Sequence, residues 1–372
     1  MTFTAPNPVF TDQGVGGSHS MLLYPDGTVW TCGNNDCGQL GDGTKQNRSI
    51  FKQVMNLNEI VAVSSGVNFS LALKKDGTVW GWGDNSSGQL GDRTKTNRSK
   101  PLKINGLSNI IAIGSSNAHS LALSSEGVVW SWGNNGSGEI GDGTTLLRTR
   151  PVQVIELNDV IAIRCGNYHS VALKADKTVW SWGNNVLGQL ADGTKKNRSV
   201  PKQVKGLAGI ISLNAGIAHT IALKNDGTVW TWGDNSSGQL GNGTKSYKAT
   251  VIKVPGLSNF SAVGAGGYCS FALKNDGTVW AWGNNNTGQL GVGTAGSHVL
   301  EEINSDETPL IESLVPLKMF TDAAAISTDS NHSFALRNDN TVWSWGKNNF
   351  GQLGDGSTIV KLLPTNILTF NE

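Results

Sequence analysis

The sequence predicts an all-β fold: a seven-bladed β-propeller of four-stranded antiparallel blades, about 50 residues per repeat. Three observations predict it. First, a Val-Trp pair recurs, with its Trp at Trp30, Trp80, Trp130, Trp180, Trp230, Trp280 and Trp343, a spacing of 50 residues five times and then 63. A second Trp follows two residues later at Trp82, Trp132, Trp182, Trp232, Trp282 and Trp345, which accounts for all 13 in the chain. Second, the apolar pattern alternates as in strands and has no helical period. Third, every unit carries four short strand patterns separated by turn residues. Repeated four-stranded units of 40–50 residues are a propeller signature.

The unit at 108–157 serves as a template. IIAIGS is the first strand, HSLALSS the second, VVWSWGN the third and RPVQVIEL the fourth. Between the second and third stands Glu126-Gly127, in most units Asp-Gly, which favours a two-residue hairpin with positive φ. Small residues at Ala62, Ala112, Ala162, Ser212 and Ala262 suit a crowded innermost strand. The Pro of the fourth strand suits an outer edge. Trp80 and Trp82 share one face by alternation, and Gly81 and Gly83 lie opposite, leaving room for the next sheet. The units run approximately 10–57, 58–107, 108–157, 158–207, 208–257, 258–320 and 321–372, in one domain. The first unit has a degenerate first strand at Val9–Gln13, so the ring is expected to close without a large strand exchange.

Charged residues are 15% of the chain and the net charge is +1, which argues against a nucleic-acid binder. Gly is abundant, at 48 residues, and recurs at fixed places in each repeat, which reads as turn chemistry. Cys32, Cys37, Cys165 and Cys269 each fill a slot held by other residues elsewhere, and they form neither a disulfide framework nor a metal spacing. No apolar run has transmembrane length, and the N-terminal stretch lacks the plan of a signal peptide. A cytoplasmic monomer is expected, with a secreted mature domain as the alternative.

The recurring pattern H(S/T)xALKxDGTVWxWGxNxxGQLGDGT, seen at residues 219–244, resembles the repeat of the regulator of chromosome condensation family. The resemblance covers the chain from about residue 10 to the end. It implies a seven-bladed ring presenting loops to a partner protein. Family members include a guanine-nucleotide exchange factor, a plant ultraviolet-B receptor, substrate-recognition parts of ubiquitin ligases and bacterial β-lactamase inhibitors. Their specialised devices do not carry over. The early repeats hold no wedge insertion, the first ten residues hold no Lys or Arg, Gly-Trp-Arg-His-Thr is absent, and the GDGTKxNRS loop is extra.

His19, His119, His169, His219 and His332 share one repeat position, which Phe69 and Cys269 interrupt. The two readings are a metal ring or general base, and a structural His bonding backbone at the start of each second strand; the second is preferred. The Trp pairs read as core between blades, and the Asp-rich turns as Asx turns without a calcium-loop spacing. No nucleophile elbow or phosphate loop is present. No cofactor or metal is implied.

The loops between strands one and two and between strands three and four lie on one face, where the repeats diverge. Phe69, Asn117, Tyr168, Val186, Leu187, Ile217, Tyr268 and Phe350 are the expected partner-binding residues there. Lys45, Arg48, Lys95, Arg98, Lys195, Lys196 and Arg198 form either a basic arc for an acidic partner or a solvated rim. The 13 extra residues of the sixth unit carry Glu301, Glu302, Asp306 and Glu307, as a specific contact or an excursion. The expected function is a non-catalytic protein–protein interaction module. The alternatives are an exchange factor for a small GTPase, an inhibitor of a secreted enzyme such as a β-lactamase, and a hydrolase or lyase using the histidines.

Overall fold

The computed structural model describes residues 17–295, 298–299, 312–328 and 330–367. Among these, all regular structure is β. Six sheets each hold four antiparallel strands in chain order, and the first blade holds three, His19–Leu23, Val29–Gly33 and Arg48–Gln53. The expected first strand of that blade, Val9–Gln13, lies outside the described residues. In the template blade the strands are Ile110–Ser115, His119–Ser124, Val129–Gly133 and Arg148–Gln153. First strands touch the first strands of neighbouring blades, so they form the innermost layer around the axis, as their small residues require. The seven sheets make one seven-bladed propeller.

Two local expectations need correction. The turn after the second strand is longer than a two-residue hairpin. Gly77 N–H donates to the Lys74 carbonyl (2.9 Å) and Lys74 N–H to the Thr78 carbonyl (2.9 Å), leaving three residues in the loop. Only Gly77 takes positive φ, at 77°, as in a type I turn closed by a glycine bulge. Asp76 then accepts from both the backbone and the hydroxyl of Thr78. The role of Gly83 also differs. It has φ of 102°, and a Cβ there would stand 2.5 Å from the Asn68 carbonyl oxygen of its own blade. It is needed for the backbone, not as clearance for the next sheet.

The core is seven clusters, one at each junction between blades. Trp82 packs with Leu23, Val29 and Val54 of blade one, and Trp80 lies against the same cluster, so both indoles face the preceding blade as alternation predicts. Trp132, Trp182, Trp232, Trp282 and Trp345 repeat this around the ring and are fully buried. The seventh cluster joins Leu22, Tyr24, Cys32 and Phe51 of the first blade to Phe334, Val342 and Ile367 of the last. There Cys32 replaces the indole. The lost volume is refilled from the fourth strand, where Phe51 stands in the slot that holds Pro101, Pro151 and Pro201 in later blades. Phe51 lies against Gly354 as Trp82 lies against Gly41, and its ring meets Phe334 edge-on at 6.4 Å between centroids.

A hydrogen-bond belt runs through the same junctions. Trp82 Nε1 and Ser70 Oγ both donate to the Gln39 carbonyl of the preceding blade, at 2.8 and 2.9 Å. Ser70 Oγ has spent its proton there, so it accepts from His19 Nε2–H at 2.9 Å. The same link joins His119 to Ser170, His169 to Thr220, His219 to Ser270 and, across the seam, His332 to Ser20. Each of these histidines thus bonds a hydroxyl of the next blade, and His219 also bonds backbone, at Cys269. Burial lowers their pKa values to about 4 for His19 and His219, and to about 3 for His119, His169 and His332.

Two predictions follow from this packing. Phe51→Ala should cost about 3–4 kcal/mol by opening a cavity at the seam, measured by denaturant unfolding. An unfolded His binds a proton below about pH 6.5 that the buried one refuses. The ring should therefore lose stability as pH falls from 7 towards 4, taking up about five protons on unfolding near pH 5. His119→Gln should reduce that slope by about one proton, and an unchanged slope would show that the histidines are not neutral in the belt.

Candidate partner-binding face

The long loop after each third strand is built around one buried asparagine. Asn85 Nδ2 donates to Asp92 Oδ1 (2.9 Å) and to the carbonyls of Thr94 and Thr96 (3.2 Å each), and its Oδ1 accepts from Leu90 N–H (2.9 Å). Asn35, Asn135, Asn185, Asn235, Asn285 and Asn348 hold the same place and are equally buried. The following aspartate is the second brace. Asp92 accepts from the Thr94 hydroxyl (2.7 Å) and from Arg98 (2.7 Å). Burial opposes ionisation of Asp42 and Asp192, but the Thr and Arg hydrogen bonds outweigh it and hold both near pKa about 2. These loops are therefore rigid, and only their tips are free to vary.

The shorter loops between first and second strands are stitched to one another across blades. Val67 N–H donates to Ser116 O (3.0 Å), Asn167 to Ile217 O (3.1 Å) and Ile217 to Gly267 O (3.0 Å). They form a collar on the face that also carries the long loops. Asn117 Nδ2 bonds the Tyr168 hydroxyl at 2.9 Å, joining blades three and four. Tyr168, Tyr268 and Val186 are exposed at 41%, 39% and 54%. Leu187, Ile217 and Phe350 are half-buried. Asn117, Tyr168, Ile217 and Tyr268 thus fall along one run of collar over blades three to six. Val186 and Leu187 stand on the long loop of blade four, and Phe350 in blade seven lies outside that run.

Two expectations change. Phe69 is no surface anchor. It opens the second strand opposite Gly83, in the slot of the belt histidines, and is fully buried among Leu71, Ile113 and Trp132. The basic arc is weaker than its composition. Arg48, Arg98 and Arg198 are paired with Asp42, Asp92 and Asp192 at 2.5–2.7 Å and serve their own loops. Lys45, Lys95, Lys195 and Lys196 remain exposed, with Lys195 over the Tyr247 ring at 4.0 Å. Glu301, Glu302, Asp306 and Glu307 lie outside the described residues; Glu312, at the end of that segment, pairs with Lys245.

Two residues on this side escaped the sequence reading. Glu139 stands where the other blades have Gln and is fully buried. Burial raises its pKa, and Asn134 and the Ser137 amide hydrogen-bond its carboxylate. Arg164 is a half-buried cation in an inner strand otherwise made of small and aliphatic residues. In both, the available signal was a single charge at a position that is uncharged in the other repeats. Among the described residues no three His, Cys, Asp or Glu side chains gather as a metal-holding group. No helix among them is long and apolar enough to cross a membrane.

The fold and this face define a ring-shaped propeller that presents braced loops. The sequence matches the RCC1-like domain over residues 4–303 and the regulator of chromosome condensation (RCC1) repeat over 276–336 and 339–372, and the chain belongs to that family. Among solved structures it is similar to human WBSCR16, at 24% identity over 92% of this chain and 93% of the other, with a TM-score of 0.78. It is also similar to yeast RCC1 (Prp20) bound to Kap60, at 22% identity over 93% and 85%, with a TM-score of 0.80. A further structure of Prp20p from Saccharomyces cerevisiae, described with its binding properties to Gsp1p and histones, matches at 23% identity over 94% and 88%, TM-score 0.79. A comparison with curated protein sequences returned no significant match.

The braced loops yield a local test. Asn85→Ala leaves the Leu90 amide and the Thr94 and Thr96 carbonyls without their buried partner, at a cost of about 1–3 kcal/mol. Amide exchange at Leu90 should accelerate while exchange in the distant blades five and six stays unchanged.

Proposed function

We propose that this chain is a non-catalytic protein-binding ring that holds its partner on the loop face over blades three to six. The observation that carries the reading is where the repeats differ. The belt, indole pairs and asparagine hubs are nearly identical from blade to blade, whereas Tyr168, Val186, Leu187, Ile217 and Tyr268 are local departures on one face. Apolar and aromatic side chains on a rigid polar rim are the anchors such interfaces use. Because the loops are already ordered, little conformational entropy is lost on docking.

A nucleotide-exchange role towards a small GTPase is the second reading. It draws support from the shared ring fold of Prp20p, whose structure is described with its binding to Gsp1p. Such a role would also use a protein-binding face and need no covalent chemistry from this chain.

The test is affinity capture of a partner from native lysate, followed by the variant Tyr168→Ser/Leu187→Ser/Tyr268→Ser. The expected result is about 30-fold or greater loss of affinity for the captured protein, with the melting temperature nearly unchanged. Retained affinity would place the interface elsewhere. Accelerated nucleotide release from the captured protein, if it is a GTPase, would establish the second reading.

A further inference from the structure

The hairpins between second and third strands stand on the face opposite the collar, and the first indole of each pair follows them. In blades two, four, six and seven a cation from the end of the second strand reaches over that indole. Lys74 Nζ lies 5.9 Å from the centre of the Trp80 ring, Lys174 Nζ 5.4 Å from Trp180 and Lys274 Nζ 5.4 Å from Trp280. Arg337 Cζ stands 3.8 Å from the centre of the Trp343 ring. In blade one Tyr24 meets Trp30 edge-on at 6.0 Å, and in blade five Lys224 pairs with Asp226 at 3.4 Å. Blade three alone has a short side chain at this position, Ser124.

Three changes coincide in blade three. First, Ser124 removes the four-carbon stem and its ammonium. Leu107, which packs with Trp130, is half-buried, whereas Leu57, Leu157, Leu207 and Leu257 at the same position are buried. Second, Val128 replaces the threonine whose hydroxyl accepts from the indole N–H in blades one, two, four, five and seven, at 2.7–3.3 Å. The Trp130 N–H has no such acceptor. Third, Lys74, Lys75 and Asp76 of blade two become Ser124, Ser125 and Glu126, so a net positive corner turns negative. The Glu126 carboxylate accepts from Asn109 Nδ2 at 3.0 Å. Hydrogen bonds from Ser124 and Asn109 hold its pKa below the ordinary value, so it is ionised at neutral pH. Asp159 of the neighbouring loop is exposed beside the same hairpin.

We propose that this gap takes the side chain of a lysine from a partner protein, its stem on Leu107 and Trp130 and its ammonium between the indole and Glu126. The ring itself shows what fills the place, since in blades two, four and six it is a lysine of this chain. An ammonium over an indole at a partly exposed site strengthens binding by about 5-fold, and the stem covers apolar surface that is otherwise wet. This site lies on the face opposite the collar and stands independently of the partner-binding reading above.

The probe is a capped peptide, Gly-Ser-Lys-Ser-Gly, added to the full chain labelled with nitrogen-15. The Trp130 indole signal is assigned by its loss in Trp130→Phe. The expected result is a saturable shift of that signal with a Kd of about 1–10 mM, and binding about 5-fold weaker when norleucine replaces the lysine. Glu126→Gln should weaken binding by about 3-fold. Ser124→Lys restores the residue of blades two, four, five and six, so the ring should fold as before, and its own ammonium should abolish the shift. No saturable shift at about 50 mM peptide would overturn the proposal. Equal binding of the norleucine peptide, or unchanged binding by Ser124→Lys, would overturn it as well.

Discussion

One backbone carbonyl per blade organises the ring. It belongs to the glutamine of the Gly-Gln-Leu segment, glutamate in blade three, and it accepts from the next blade's indole at every junction with a second Trp. At most of these it also accepts from the next blade's Ser hydroxyl. The acceptor is buried, so an unmet donor in its place would cost more than an ordinary hydrogen bond contributes. That one atom sets the position of a Trp, a Ser and, through the Ser, a His. At the seam Cys32 and Ser20 turn to the same carbonyl, that of Gln352. Closure therefore uses the same acceptor as every other junction, with Phe51 making up the volume that Cys32 lacks.

That constraint divides the chain into parts that repeat and parts that do not. Any residue touching the shared carbonyl, the asparagine hub or the indole slot is fixed by its neighbours in two blades. The five belt histidines illustrate it: each is buried, neutral and engaged with the next blade's hydroxyl. Freedom remains at the tips of the braced loops, in the collar around the channel and along the upper inner wall. Tyr168, Val186, Tyr268 and Arg164 all lie in these places.

The architecture was legible because a period-50 Trp signal and an alternating pattern survive in a single sequence, and both report directly on packing. The collar residues were partly legible for the opposite reason, as breaks in that period. Phe69 shows the limit. It breaks the histidine series, and a break inside a strand and a break in a loop look alike until register is known. Its side chain is the largest at that slot, and it fills the junction that a His would have hydrogen-bonded. The arginines of the long loops misled in another way. Their charge is visible in sequence, but the aspartate six residues earlier that consumes it is a partner only once the loop has folded around its asparagine.

Rigidity also bears on how such a ring chooses a partner. A flexible loop selects by adapting, and loses ordering entropy each time it does so. These loops cannot adapt without breaking the hydrogen bonds of a buried asparagine. Selection must then reside in which side chains stand at fixed points. A single substitution in one blade changes one point on the face and leaves the other blades as they were, because each blade contacts only its neighbours.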